Sequence, residues 1–272
     1  MGTTQRIGSG VKNQPKWGDL SVSVSSAART IMELDKIEDV EEIDEKDTKV
    51  VKRIVELEKR KEAHVKASLA RLVKIGGGSK NISSGKSKTF GRAGLKSSSK
   101  LVSFFNAVNT SGINEALNQI KFGSIEGKNT QDVIDFLLLH CSSSAVGMDE
   151  AAANSAMCET LKFLESEVNE NIESLDQIMK SYIDDDRLSN LLCSFFGKYI
   201  YEYLWERLEE RIRQARGKKV SNSTFDSIQK EIQGRVELLN INRPLQKVNW
   251  SGNEGVMEIE KIFEAILKIE EA

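Results

Sequence analysis

Proline is almost absent from this chain, and its scarcity is the strongest constraint on the fold. Only Pro15 and Pro244 occur among 272 residues. Because a proline inside a helix removes a backbone hydrogen bond and clashes with the preceding turn, its absence permits long uninterrupted helices from Ser21 to Arg243. Alternating apolar and polar residues, which would indicate strands, form no convincing run. The sequence therefore predicts an all-α protein.

Composition divides the chain into four predicted regions. Residues 1–20 are rich in glycine, lack apolar periodicity and are predicted to form a flexible tail, with Trp17 as a candidate anchor. Residues 21–75 are predicted to be a charged helical segment, and residues 76–97 a flexible, basic, Gly/Ser-rich linker. Residues 98–272 have recurrent apolar spacing and are predicted to form a helical, bundle-like domain that folds without the first hundred residues.

Charge is distributed unevenly along the chain. Residues 1–100 carry 21 Lys and Arg against 13 Asp and Glu, whereas residues 101–272 carry 18 against 28. Within the helical segment, residues 33–47 are mainly acidic and residues 49–74 mainly basic. These two blocks can pair with each other if the helix folds back near Asp47-Thr48, or with opposite charges on a partner.

The longest apolar-periodic run, from Leu188 to Arg216, predicts a helix that ends at Gly217. Thr130 is predicted to cap another helix, and Ser223 to begin the helix that follows Gly217. Aromatic side chains recur along the longest helix at spacings of three and four residues. This aromatic face is predicted to lie at the centre of the core or at a partner interface. Its members are Phe195, Phe196, Tyr199, Tyr203 and Trp205.

The potential nucleophiles form no pattern that predicts catalysis. Cys141, Cys158 and Cys193 lack CxxC spacing, which is typical of a reducing compartment and of cysteines buried in a core. His140 adjoins Cys141, but neighbouring residues on a helix lie on different faces and cannot form a dyad. Gly85-Lys86-Ser87 lacks the earlier glycine and the upstream strand of a phosphate-binding P-loop. We therefore expect a non-enzymatic protein.

The sequence also predicts no metal site, no cofactor and no membrane anchor. Asp184-Asp185-Asp186 is interpreted as a helix cap and solvated turn rather than a cation site. No stretch approaches the roughly 18 apolar residues of a membrane span. Arg6 stands where a myristoylation signal requires Ser or Thr. The expected location is the cytoplasm.

The basic segment 49–100 raises a second functional hypothesis. It carries 15 Lys and Arg against three acids, a density that can attract the phosphates of a nucleic acid. Phe90 is its only aromatic residue, so base stacking and sequence specificity are not expected. An acidic partner protein is an equal alternative to weak, salt-sensitive phosphate binding. The candidate phosphate contacts are Lys80, Lys86, Lys88, Arg92 and Lys96.

Short motifs in a fixed order resemble one protein family. The chain starts with Met1-Gly2-Thr3-Thr4 and continues to Pro15-Lys16-Trp17. The later motifs are Phe90-Gly91-Arg92-Ala93-Gly94-Leu95, Phe122-Gly123-Ser124, residues 132–139 and the run from Asp149-Glu150 to Thr160-Leu161. Over the tail and residues 90–272 they resemble the QatB-like proteins of the Qat anti-phage defence system. The charged helix within residues 25–75 departs from the Pro-rich or loosely structured connection of that family.

The resemblance implies particular partners. They include an ATPase, a protein similar to the queuosine-pathway enzyme that makes 7-cyano-7-deazaguanine, and a TatD-like nuclease. Removal of Met1 would leave the α-amine of Gly2, whose usual pKa of about 8 makes it an accessible nucleophile. A relative of the deazaguanine enzyme would activate a carboxylate and join it to an amine. Gly2 is the candidate for that amine.

Two functions are therefore expected as alternatives. The first is a non-enzymatic interaction component of an antiviral complex, with Gly2 as a substrate for modification. The second is a nucleic-acid-associated adaptor that uses residues 49–100 to hold phage DNA near a nuclease. Duplex binding that collapses with added salt would indicate the adaptor, whereas co-purification with partner proteins that survives added salt would indicate the interaction component.

Overall fold

Helices account for most of the described chain. The computed structural model describes residues 17–38, 48–123, 125–168, 172–184, 187–242 and 248–268. Within these ranges there are eleven α-helices and no strand, which confirms the all-α prediction. None of these helices is long and apolar enough to cross a membrane. They are α1 (Trp17–Glu38), α2 (Thr48–Ile75), α3 (Ser79–Ser83), α4 (Arg92–Ser111), α5 (Ile113–Gln119), α6 (Thr130–Cys141), α7 (Met148–Ser166), α8 (Ile172–Asp184), α9 (Arg187–Arg216), α10 (Lys218–Asn242) and α11 (Gly252–Leu267).

Helix α9 is the central element of the fold. It packs against α1, α4, α7, α8, α10 and α11. A helix that is apolar on several faces must be surrounded by others, and the middle of α9 satisfies this condition. Phe196 stacks on Phe263 of α11 with ring centroids 4.3 Å apart, and Trp205 meets Phe225 of α10 edge-on at 4.9 Å. The predicted aromatic face therefore lies largely in the core, with only Trp205 partly exposed.

Helices α1 and α2 form a hairpin that is part of the same core. The inner face of α1 buries Leu20, Val24 and Ile31, and α1 packs against α2, α9 and α10. Arg71, near the end of α2, donates to the carbonyl oxygen of Asp19, near the start of α1, so the two helices are antiparallel. Residues 39–47, which join them in sequence, lie outside the described ranges. Three ion pairs lie within α2 itself, joining Glu56 to Arg60, Glu58 to Lys61 and Glu62 to Lys66.

The predicted linker, residues 76–97, is folded in the structure. It contains α3 and the start of α4, and it buries Ile82 and Phe90. Gly76, Gly91 and Gly94 in this stretch permit tight packing: a Cβ added to Gly76, for example, would lie 2.4 Å from Cδ1 of Ile82. Gly/Ser-rich sequence is compatible with both uses, because glycine permits mobility and also permits close approach of the backbone.

Two predicted helix starts differ from the structure. The prediction that Thr130 caps α6 is wrong, because Thr130 is the first helical residue and Asn129 is the cap. Asn129 and Asp132 form a reciprocal capping box, each backbone N–H donating to the other side chain at 2.9 Å. Helix α10 begins at Lys218, not at Ser223, directly after Gly217. Gly217 ends α9 as predicted and has a φ of +87°.

A shortened chain that starts at Ser98 is expected to lose cooperative folding. It lacks α1, α2, α3 and the first turns of α4, so the core loses Leu20, Leu72 and Phe90 and exposes the surfaces that they cover. We expect it to retain helical circular dichroism but to melt broadly and bind ANS, as a molten globule does. A control chain that starts at Trp17 keeps every described contact and should melt as sharply as the full chain. A sharp transition of the Ser98 chain would instead support the boundary predicted from sequence.

Candidate functional site

The carboxylate of Asp149, in the first turn of α7, fixes the start of α4. Its Oδ1 accepts a hydrogen bond from the N–H of Gly91 at 3.0 Å, and its Oδ2 accepts one from the N–H of Ala93 at 2.9 Å. The first N–H groups of a helix lack partners within the helix and are usually satisfied by the side chain of the capping residue. Gly91 holds that capping position and has no side chain. Asp149, 58 residues further along the chain, supplies the missing acceptor.

Tyr199 on α9 completes this junction. Its hydroxyl donates to Oδ1 of Asp149 and accepts the N–H of Gly91 at 2.7 Å. Burial raises the pKa of Tyr199 well above its ordinary value, and the negative charge of Asp149 raises it further. The hydroxyl therefore stays protonated at neutral pH and remains a donor to the carboxylate. Helices α4, α7 and α9 are thus joined at one point, which we call the Asp149 junction.

Two glycines make the Asp149 junction sterically possible. Gly91 has a φ of +115°, and a Cβ there would lie 2.5 Å from the carbonyl oxygen of Ile82. A Cβ on Gly94 would lie 2.4 Å from the ring of Tyr199. The motif from Phe90 to Leu95 is therefore explained by close approach of the backbone to its neighbours.

An open groove of about 720 Å³ lies beside the junction, and its aromatic wall is built from three elements. The ring of Tyr203 stacks on Phe90 at 4.7 Å and lies 6.4 Å from the ring of Trp17. The guanidinium of Arg207 lies over Trp17, 3.9 Å from the ring centroid, and its Nη1 is 3.3 Å from Sδ of Met148. We call this feature the Trp17 groove.

Basic side chains surround the Trp17 groove. Lys86, Lys88 and Arg92 are exposed and line it together with the partly buried Arg207. The structure thus brings three of the five predicted phosphate contacts into one place. Lys80 on α3 and Lys96 on α4 are also exposed but do not belong to its lining.

The structure places the remaining predicted site residues as follows. Trp17, predicted as the anchor of a tail, is the first residue of α1 and contacts α9. Gly2 lies outside the described residues. Arg207 and Asp149 were missed as site residues. Arg207 could have been identified from the sequence, because it lies one turn after Tyr203 on α9. Asp149 could not, because an acid in the first turn of a helix predicts only a favourable contact with the helix dipole.

Cys141 is placed as a core residue rather than as a nucleophile. Burial raises the pKa of its thiol to about 12, so the reactive thiolate is suppressed. The pKa of His140 is lowered by burial and then by the positive charge of Lys100. The ammonium group of Lys100 donates to the carbonyl oxygen of His140, which ties α4 to the end of α6. Cys193 is also buried, whereas Cys158 is partly exposed.

The acidic triplet is only partly visible in the structure. Asp184 ends α8, while Asp185 and Asp186 lie outside the described residues. Across the part of the chain that the structure covers, no three His, Cys, Asp or Glu residues stand close enough to hold a metal ion.

Comparison with known families identifies the region around the Asp149 junction. A family model described as Qat anti-phage system associated protein QatB matches residues 77–269. The matched region runs from α3 to α11 and includes Gly91, Gly94, Asp149 and Tyr199, whereas α1 and α2 precede it. No curated protein and no solved structure matches the chain.

Substitution of Gly94 by alanine tests the Asp149 junction. The added methyl group overlaps the ring of Tyr199, so Gly94→Ala should destabilise the protein by about 1–3 kcal/mol, the usual cost of overpacking. Gly234 is a matched control, because it is also helical but has nothing within 4 Å of an added Cβ. Gly234→Ala should stabilise by roughly 0.5–1 kcal/mol through helix propensity. Urea unfolding measures both changes, and equal stabilisation by the two would argue against the contact between Gly94 and Tyr199.

Proposed function

The chain belongs to the QatB family of Qat anti-phage system associated proteins, and from this premise we propose that it is a non-enzymatic interaction component of an antiviral complex. Family membership indicates a component of an anti-phage system with partners inside that system. Our proposal adds their identities: an ATPase, a queuosine-enzyme-like protein and a TatD-like nuclease. It also adds a specific role for the N-terminal tail, with Gly2 as the residue that a partner modifies.

The fixed position of Trp17 is the observation that carries this proposal. Trp17 begins α1 and is held on α9 by the guanidinium of Arg207 and the ring of Tyr203. Gly2 lies fifteen positions before Trp17 in the sequence. A fully extended chain spans about 3.4 Å per residue, so Gly2 can reach about 50 Å from the anchor. That reach lets the amine enter the active site of a partner while the helical body stays docked outside it.

The chemistry of Gly2 suits modification of an amine. The lack of a side chain on Gly2, directly after Met1, favours removal of the methionine, which exposes the α-amine. The queuosine-enzyme-like partner would activate a carboxyl group. The amine of Gly2 would then attack the activated carbon, form an amide bond and lose a proton as the activating group departs. Helical packing plays no part in this reaction, so the helical body contributes position rather than catalysis.

Intact mass tests the proposed modification. Co-expression with the queuosine-enzyme-like partner should add mass to the N-terminal peptide, and expression alone should not. Gly2→Leu should abolish the added mass because the larger residue retains Met1. Gly8→Leu, in the same tail, is the matched control and should still acquire the mass.

Protection of cells from phage measures the function of the same variants. Gly2→Leu and a protein fused before Met1 should both lose protection, while the melting temperature stays unchanged because the described packing begins at Trp17. A terminal fusion that protects cells as well as the native chain would contradict a role for the free amine. An N-terminal peptide of unmodified mass in a protecting strain would contradict the modification.

The nucleic-acid adaptor is a second candidate function, supported by the exposure of all five predicted phosphate contacts. Three basic side chains of α2 are paired with acids of the same helix, so part of the positive charge of residues 49–100 is compensated within α2.

Salt dependence of duplex binding tests the adaptor. If the adaptor is correct, log affinity should fall linearly with log salt by about 0.9 per phosphate contacted. Replacing Lys86, Lys88 and Arg92 together by neutral residues should then reduce both the affinity for duplex DNA and the slope of its salt dependence. Neutralising the exposed Lys121 and Lys128 is the control and should change neither. Duplex binding that is unaffected by the triple substitution would reject the adaptor as proposed.

A further inference from the structure

Arg207 is a partly buried cation for which no carboxylate partner is present among the described residues. Its guanidinium lies 3.9 Å from the centroid of the Trp17 ring, and its polar contact is with the sulfur of Met148 at 3.3 Å. A thioether is a weak acceptor, and a guanidinium carries five N–H donors. Burial lowers the pKa of Arg207, as expected for a cation that has lost water without gaining an anion. The structure thus holds a rigid donor group at the Trp17 groove with most of its donors unused.

The other cations of the groove are equally uncompensated. Lys86, Lys88 and Arg92 line it and form no ion pair within the described part of the chain. The lining holds four cations, Lys86, Lys88, Arg92 and Arg207, against two acids, Asp149 and Glu150. The groove therefore carries excess positive charge.

The adjoining tail cannot supply the missing negative charge. Residues 1–16 continue from Trp17 and contain Arg6, Lys12 and Lys16 but no Asp or Glu. Charge complementarity therefore requires an anion from outside this segment.

We propose that the Trp17 groove binds a phosphate-bearing ligand of nucleotide size. Arg207 and the three cations around it hold the phosphates, and the ring of Trp17 contacts the heterocycle. This assignment does not depend on the modification of Gly2.

Phosphate fits the cations better than carboxylate does. Several positive charges converge on one groove, which matches a ligand that concentrates two or more negative charges. The planar guanidinium of Arg207 can hold two phosphate oxygens at once, and lysines act as point charges around them. An acidic peptide in extended form places its same-side carboxylates about 7 Å apart, so it concentrates less negative charge in one groove than a chain of linked phosphates does.

The size and the walls of the groove also fit a nucleotide. Its volume of about 720 Å³ lies within the range typical of small-ligand sites. The indole ring of Trp17, one face of which Arg207 covers, belongs to the lining and supplies apolar contact for a heterocycle. Ser87 and Thr89 belong to the lining and add hydroxyl groups beside Lys86 and Lys88.

Titration of the full chain with adenosine triphosphate tests the proposal. Binding should quench the tryptophan fluorescence, to which Trp17 contributes together with Trp205 and Trp250, and should be tighter than binding of inorganic tripolyphosphate, which lacks the heterocycle. Arg207→Gln should weaken binding of adenosine triphosphate by roughly 10- to 100-fold, because it removes charge-assisted hydrogen bonds. Lys88→Gln should weaken it by a smaller factor, and this exposed substitution leaves the core intact. Arg211→Gln is the matched control: it is exposed, one turn further along α9, outside the lining, and should leave affinity unchanged.

The alternative ligands give distinct outcomes. A 5′-phosphorylated oligonucleotide that binds more tightly than the free nucleotide, and requires Arg207 and Lys88, supports the site and identifies its source as a nucleic-acid end. If a hexaglutamate peptide binds more tightly than adenosine triphosphate, the assignment is overturned in favour of an acidic protein segment. Equal affinity for tripolyphosphate and adenosine triphosphate overturns the contact between Trp17 and a base. No binding of either at millimolar concentration, or equal binding by Lys88→Gln and the native chain, overturns the site itself.

Discussion

The first N–H groups of α4 need a hydrogen-bond acceptor, and the carboxylate of Asp149 provides it. The rest of the structure is arranged around this contact. Gly91 cannot cap its own helix, so the acceptor comes from α7, and Tyr199 secures that acceptor from α9. The same contact sets the position of Arg92 at the first turn of α4 and of Met148 beside Asp149. The Trp17 groove is bounded by these residues. Its shape therefore depends on a hydrogen-bonded junction in which three helices take part.

Much of the helical architecture could be predicted because its signals are local. Apolar spacing and the lack of proline predicted α9 to within a residue at its start, and the left-handed φ of Gly217 ends it where expected. The folded state of residues 76–97 could not be predicted in this way. Gly94 is required by the ring of Tyr199, which lies 105 positions later. The need for glycine at this position is created by tertiary packing. The composition of residues 76–97, taken alone, resembles that of a linker.

The candidate site was predictable in part for the same reason. Lys86, Lys88 and Arg92 were identified from the density of basic residues, which is a local property. The convergence of these residues with Arg207 arises only when α9 passes beside the loop before α4. Asp149 shows most clearly the difference between what a local pattern predicts and what tertiary packing produces. Its place in a first turn predicts a favourable electrostatic contact with its own helix, whereas its actual partners belong to another helix.

The packing of Trp17 under Arg207 also has a consequence for the order of events during synthesis. The two residues are 190 positions apart, and ribosomes add about 5–20 residues per second, so roughly 10–40 seconds pass between them. During that interval the apolar face of α1, with Leu20 and Val24, has α2 as a neighbour but neither α9 nor α10. The nascent hairpin must therefore remain available for docking until the last third of the chain emerges. A protein that sheltered this face on the ribosome would act before the Trp17 groove exists.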